Sequence, residues 1–124
     1  MSDICGLWTL TAKALNQDGS LLYDWDARVQ IEPDGDGSVQ MTVDSEHSKS
    51  RAISAGAQVR TMPDGRTTLL YDYIADPTHE GTASHDFFGL VRYVFDAAGD
   101  GAQGHYLNYN GRYTLGELSL KRVT

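Results

Sequence analysis

A single cysteine, Cys5, stands in the whole chain, so no internal disulfide can staple the fold and burial must hold it. No run approaches the roughly 20 apolar residues of a membrane-spanning helix. Basic residues are scarce: 10 Lys and Arg stand against 17 Asp and Glu, for a net charge of −7. With both halves acidic, a nucleic-acid polymer is excluded as a partner, because phosphate neutralisation by Lys and Arg dominates that affinity. A small anion is not excluded, since two or three arginines can hold a couple of phosphates inside an acidic protein. No Gly-x-Ser-x-Gly elbow and no phosphate-cradling loop before a helix is present, so catalysis has no motif to rest on. The four histidines, His47, His79, His85 and His105, lack the pairing that sets two ligands on one metal, and no metal or cofactor is expected. Asp34-Gly35-Asp36-Gly37 has the start of a calcium loop without its remaining ligands. The first five residues lack the basic and apolar regions of a secretory signal. The chain therefore reads as soluble and cytoplasmic, and one cysteine fits a reducing compartment.

What is present is alternation. Leu21, Tyr23, Trp25, Ala27, Val29 and Ile31 fall on one face, with Leu22, Asp24, Asp26, Arg28, Gln30 and Glu32 between them. A period of two marks a strand with one buried side. Seven further runs follow the same grammar: 6–15, 38–44, 50–61, 66–75, 87–95, 102–109 and 112–122. Turn signals separate them. Met62-Pro63-Asp64-Gly65 puts proline early and glycine at the close, and Asn110-Gly111 is a strong hairpin dipeptide. Residues 76–86 form the longest gap. The 124 residues make one domain, 6–124, after a short tail, 1–5, and a chain of this size buries roughly two-thirds of its unfolded surface.

Eight strands with short links fit a sandwich or a barrel. The run from Ser48 to Ala55 carries polar or small residues on both faces, which suits a barrel with a partly polar mouth better than a sandwich with one oily face. The expectation is a compact, eight-stranded, antiparallel, up-and-down-like β-barrel that works by binding.

Several segments occur in an order that resembles a known family. They are Gly6-Leu7-Trp8, the run 48–55, Leu70-Tyr71-Asp72-Tyr73-Ile74-Ala75-Asp76-Pro77, and His85 before Phe87-Phe88-Gly89. Gly104-His105-Tyr106-Leu107-Asn108 and the run 116–122 complete the set. The chain is similar to the β-barrel domain of the two-transmembrane, β-strand-rich effectors of bacterial cyclic-oligonucleotide antiphage signalling. The resemblance implies a barrel shaped like fatty-acid-binding proteins. It implies a receptor for a cyclic dinucleotide made by a partner nucleotidyltransferase, with self-association on ligand. The membrane helices of that family have no counterpart in this sequence, which reads either as a stand-alone barrel, acting as a sensor or a messenger-binding sponge, or as a soluble piece of a longer protein.

A cyclic dinucleotide has two phosphates and two flat bases. Bases stack on aromatic side chains, each contributing about 1–3 kcal/mol. Tyr71 and Tyr73 share a strand face and are candidate platforms, as is Tyr106, which shares a face with Asn108. Ser48, Ser50 and Asn108 suit polar edges. Arg92, inside the apolar run 88–95, together with Arg51 or Arg112, suits phosphate, and His85 could bond one. Ser50 and Arg51 are adjacent, so a regular strand turns them to opposite sides. Aromatic strand residues also build cores, so the tyrosines have that reading too. A carrier of an apolar ligand and a ligand-free interaction module stand as alternatives.

Overall fold

The turn residues cut the alternating sequence into eight strands: β1 (Gly6–Leu15), β2 (Leu21–Pro33), β3 (Val39–Ser45), β4 (Ser50–Thr61), β5 (Thr67–Ala75), β6 (Phe88–Phe95), β7 (Gly101–Tyr109) and β8 (Tyr113–Arg122). The computed structural model describes residues 4–35, 38–45, 50–76, 87–109 and 113–123. Each strand pairs antiparallel with the next, and β8 returns to β1, closing an up-and-down barrel in the order of the chain. Closure gives every strand a neighbour on both sides, although β3 pairs with only part of β2 and of β4. Among the described residues, no helix is long and apolar enough to cross a membrane.

Turn chemistry sets the registers. In the β4–β5 turn the Gly65 N–H donates to the Met62 carbonyl at 2.9 Å, and Gly65 takes φ +88°, a conformation open to glycine at little cost. β4 departs from regularity between Ser54 and Gly56, where the β5 register shifts. Pairing of β3 with β4 runs from Thr42 to Ser45. Where the two part, the Met41 N–H donates to Ser54 Oγ (3.0 Å) and Gln40 Nε2 to the Ser54 carbonyl (3.1 Å), which satisfies backbone groups that the ladder has released.

One end of the barrel is sealed. Trp8 is fully buried, with the Phe95 ring edge-on at 5.3 Å and its indole N–H donating to the Ile4 carbonyl at 2.9 Å. The Arg122 guanidinium sits 4.2 Å over the Trp8 ring and donates to the carbonyls of Cys5 (2.9 Å) and Gly99 (3.0 Å). Ile4 is itself buried, so the packed body begins before Gly6. Leu10, Ile31, Met41, Leu69, Tyr93 and Leu120 fill the space above this plug.

Three inward tyrosines occupy room left by glycines. Tyr73 pairs across from Gly89, Tyr93 from Gly104 and Tyr106 from Gly116, on three successive strand interfaces. A Cβ at any of these glycines would overlap the facing ring. A barrel of eight strands is only just wide enough for its own side chains, and the missing Cβ atoms let large rings lie inside it.

Candidate functional site

The mouth lies opposite the Trp8 plug, where β1, β3, β5 and β7 end and β2, β4, β6 and β8 begin. β2 outruns its neighbour here, because β3 pairs with it only from Arg28 to Pro33. The early part of β2 therefore lines a notch. Tyr23 is about half exposed and Trp25 half-buried, although their parity is that of the core residues Val29 and Ile31. At the inner edge of the notch Ser45 Oγ donates to the Asp26 carbonyl at 3.0 Å.

Two polar contacts cross the mouth. The Trp25 indole N–H donates to the Tyr106 hydroxyl at 3.2 Å, with the rings edge-on at 5.9 Å. The Tyr73 hydroxyl donates to Asn108 Oδ1 at 2.7 Å. Tyr73 also lies 6.3 Å from Tyr71 and 6.4 Å from Phe87 between ring centroids. Below them Tyr71 and Tyr93 stack at 6.5 Å and 26°. Burial pushes the phenols of Tyr71, Tyr73, Tyr93 and Tyr106 above the ordinary tyrosine range, because a phenolate loses its hydration there.

The structure thus brings Tyr73, Tyr106 and Asn108 together, with Tyr71 beneath them as a fully packed floor. Ser50 pairs with Ser45 at the rim. Arg51 faces outward and is held by two carboxylates: it donates to Asp44 through Nε and Nη2 at 3.2 and 3.1 Å, and its Nη1 lies 3.9 Å from buried Asp76. For Arg92, which the sequence leaves open between the solvent face and burial with an anion, the structure gives the solvent face. The side chain is exposed on the outer face, between the inward residues Val91 and Tyr93, because alternation along β6 is unbroken. Ser48, His85 and Arg112 lie outside the described residues, in segments that join strands ending at this rim. Trp25 is the mouth residue that sequence reasoning missed. Its parity marks it as core, and only the shortness of β3 beside β2 exposes it.

A groove of about 530 Å³ runs over β1, β2, β7 and β8, lined on its outward side by Thr11, Lys13, Asp24, Asp26 and Glu117. Three carboxylates against one lysine repel phosphate, and the aromatic residue in its lining, Trp25, is the one whose indole donates to Tyr106 at the mouth.

The outer face of β5–β8 carries apolar rows. Ile74, Phe88, Tyr109 and Tyr113 stand side by side at the rim, then Leu90, Leu107 and Leu115 one row deeper, where β5 presents Asp72. Phe88, Leu90, Leu107 and Tyr113 are each more than half exposed. The next row reads Arg92, His105, Glu117.

Comparison with known families gives a match over residues 1–122 to the Cap15, cyclic dinucleotide receptor domain. No curated protein matches the chain. The family match supports a cyclic-dinucleotide-binding role in cyclic-oligonucleotide antiphage defence, and a role in binding rather than catalysis.

Proposed function

Because the chain belongs to the Cap15 cyclic dinucleotide receptor domain family, we propose that it is a cyclic-dinucleotide sensor whose ligand sits in the mouth of the barrel. The crossing contacts of Tyr73 with Asn108 and of Trp25 with Tyr106 carry this reading. They set aromatic surface and polar atoms side by side at the open end, which is what a base presents to a protein. Tyr73, Tyr106 and Trp25 enclose a base and Asn108 reads its edge. Tyr71 supports the platform from below. Ser48, Ser50, His85 and Arg112 contact phosphate from the rim segments. Arg51 contributes only by leaving Asp44 and Asp76. The packed lower lumen, from Tyr93 to Trp8, leaves little room for an acyl chain and weighs against a fatty-acid carrier.

The exposed face of β5–β8 favours a sensor over a sponge, since contiguous apolar surface of this kind marks an association site. A two-fold axis parallel to the strands over β7 would stack the apolar rows on their counterparts in a second copy. The same axis would set Arg92 opposite Glu117 of that copy, so the face is complementary to itself in charge. Its rim row adjoins the mouth, so a ligand there can bias association.

Calorimetric titration against a panel of cyclic di- and trinucleotides, with a fatty acid as control, tests the reading. The expected result is saturable binding of one cyclic dinucleotide. Binding of the fatty acid alone would replace the sensor with a carrier.

A further inference from the structure

Hydrogen-bond direction at the mouth limits what the ligand can be. A tyrosine hydroxyl has one hydrogen, and Tyr73 gives its own to Asn108 Oδ1. That contact uses the amide's acceptor and turns its Nδ2 hydrogens away. Nδ2 meets no acceptor among the described residues. An indole N–H can only donate, so Tyr106 accepts from Trp25 and keeps its own hydrogen for another partner. Among the described residues, Lys13, Arg28, Arg51 and Arg92 stand at outward positions of their strands, so none of these four sets its charge inside the lumen beside the two donors.

We infer that the mouth presents two uncharged hydrogen-bond donors, the Asn108 amide hydrogens and the Tyr106 hydroxyl hydrogen, to acceptor oxygens of the ligand. The inference rests on the reading of the mouth as a cyclic-dinucleotide site and adds its polarity. Burial supports it by keeping both phenols protonated at neutral pH. Two kinds of oxygen on such a ligand qualify: the keto oxygen of guanine or uracil, and a non-bridging phosphate oxygen. The exocyclic amine of adenine does not, because it would set donor against donor.

Asn108→Asp tests this, since it exchanges the amide donors for an anionic acceptor of the same shape, which opposes a ligand oxygen at that position, while leaving Oδ1 for Tyr73. Native protein, Asn108→Asp and Tyr106→Phe are titrated with cyclic diguanylate and cyclic diadenylate, with thermal midpoints alongside. Asn108→Asp is expected to lose at least tenfold in affinity at an unchanged midpoint, and Tyr106→Phe at least threefold. A loss confined to cyclic diguanylate assigns the donors to the keto oxygen, and an equal loss for both assigns them to an acceptor the two ligands share, a phosphate oxygen or a purine ring nitrogen. Full affinity in folded Asn108→Asp overturns the inference while the binding site stands. If that variant does not fold, unchanged affinity in Tyr106→Phe overturns it. Failure of the native protein to bind any cyclic dinucleotide removes the functional reading itself, and the donor assignment with it.

Discussion

Tyr106 stands directly across from Gly116 on the neighbouring strand, and a Cβ at residue 116 would overlap its ring. The same Cβ would also meet the carbonyl oxygen of Lys13, which belongs to the β1 ladder and cannot swing aside. Tyr73 with Gly89 and Tyr93 with Gly104 repeat the device. Glycine weakens a strand when it leaves a gap, but here a facing ring covers it. The mouth and its floor are thus built by rings that depend on a hydrogen atom opposite.

Gly116→Ala is expected to destabilise the barrel by about 1–3 kcal/mol through overpacking, read as a lower urea midpoint. Gln30→Ala, on the exposed face of β2, is expected to stay within about 0.5 kcal/mol. Equal midpoints for the two variants would show that Tyr106 does not need the space.

Trp8→Ala removes a fully buried ring, a plug contact to Phe95 and the acceptor face beneath Arg122. The expected loss is about 3–5 kcal/mol. That is a large part of the stability of a domain this size, so the melting point should fall sharply or the fold be lost. A small change would place the stability of the barrel elsewhere.

Alkali should unfold the protein through its buried tyrosines. The phenols of Tyr71, Tyr73, Tyr93 and Tyr106 have folded-state pKa values above the unfolded one. The folded state then holds protons that the unfolded chain releases, so stability is intact below about pH 10 and falls as pH rises beyond it. Denaturant midpoints from pH 8 to pH 11 check this. A flat profile across that range would contradict the burial.

Association on ligand should depend on the outer face. Leu107→Lys puts a charge in the middle of the apolar rows and is expected to abolish ligand-induced association in sedimentation, with ligand affinity retained. Arg92→Glu should weaken association, and the double change Arg92→Glu with Glu117→Arg should restore it. Restoration would support the two-fold over β7, and no effect of either charge change would rule that axis out.

Most of the fold was legible because turns and alternation agreed. Pro33, the Met62–Gly65 turn and the Asp96–Gly101 turn fixed strand ends to within a residue. Sequence reasoning also placed Tyr71, Tyr73, Tyr106 and Asn108 on shared faces, as found. It failed where a side chain's fate depends on a neighbouring strand. Trp25 and Tyr23 share the parity of core residues, yet the short β3 leaves them at an opening. The apolar neighbours of Arg92 in sequence suggested burial, but Phe88, Leu90 and Val94 share its outward face. Arg51 lies two strands' worth of chain from Asp76, and only pairing brings the two together. The role of Gly89, Gly104 and Gly116 follows from cross-strand register, which no single strand carries.

The most direct test of the mouth as the ligand site is nitrogen–proton correlation spectroscopy during titration with the cyclic dinucleotide that binds. The account predicts large shifts at the Trp25 indole N–H, the Asn108 side-chain amide and the Gly89 and Gly116 amides, with the Trp8 indole N–H unmoved. Shifts centred instead on Lys13, Asp24 and Glu117 would move the ligand to the outer groove and contradict it.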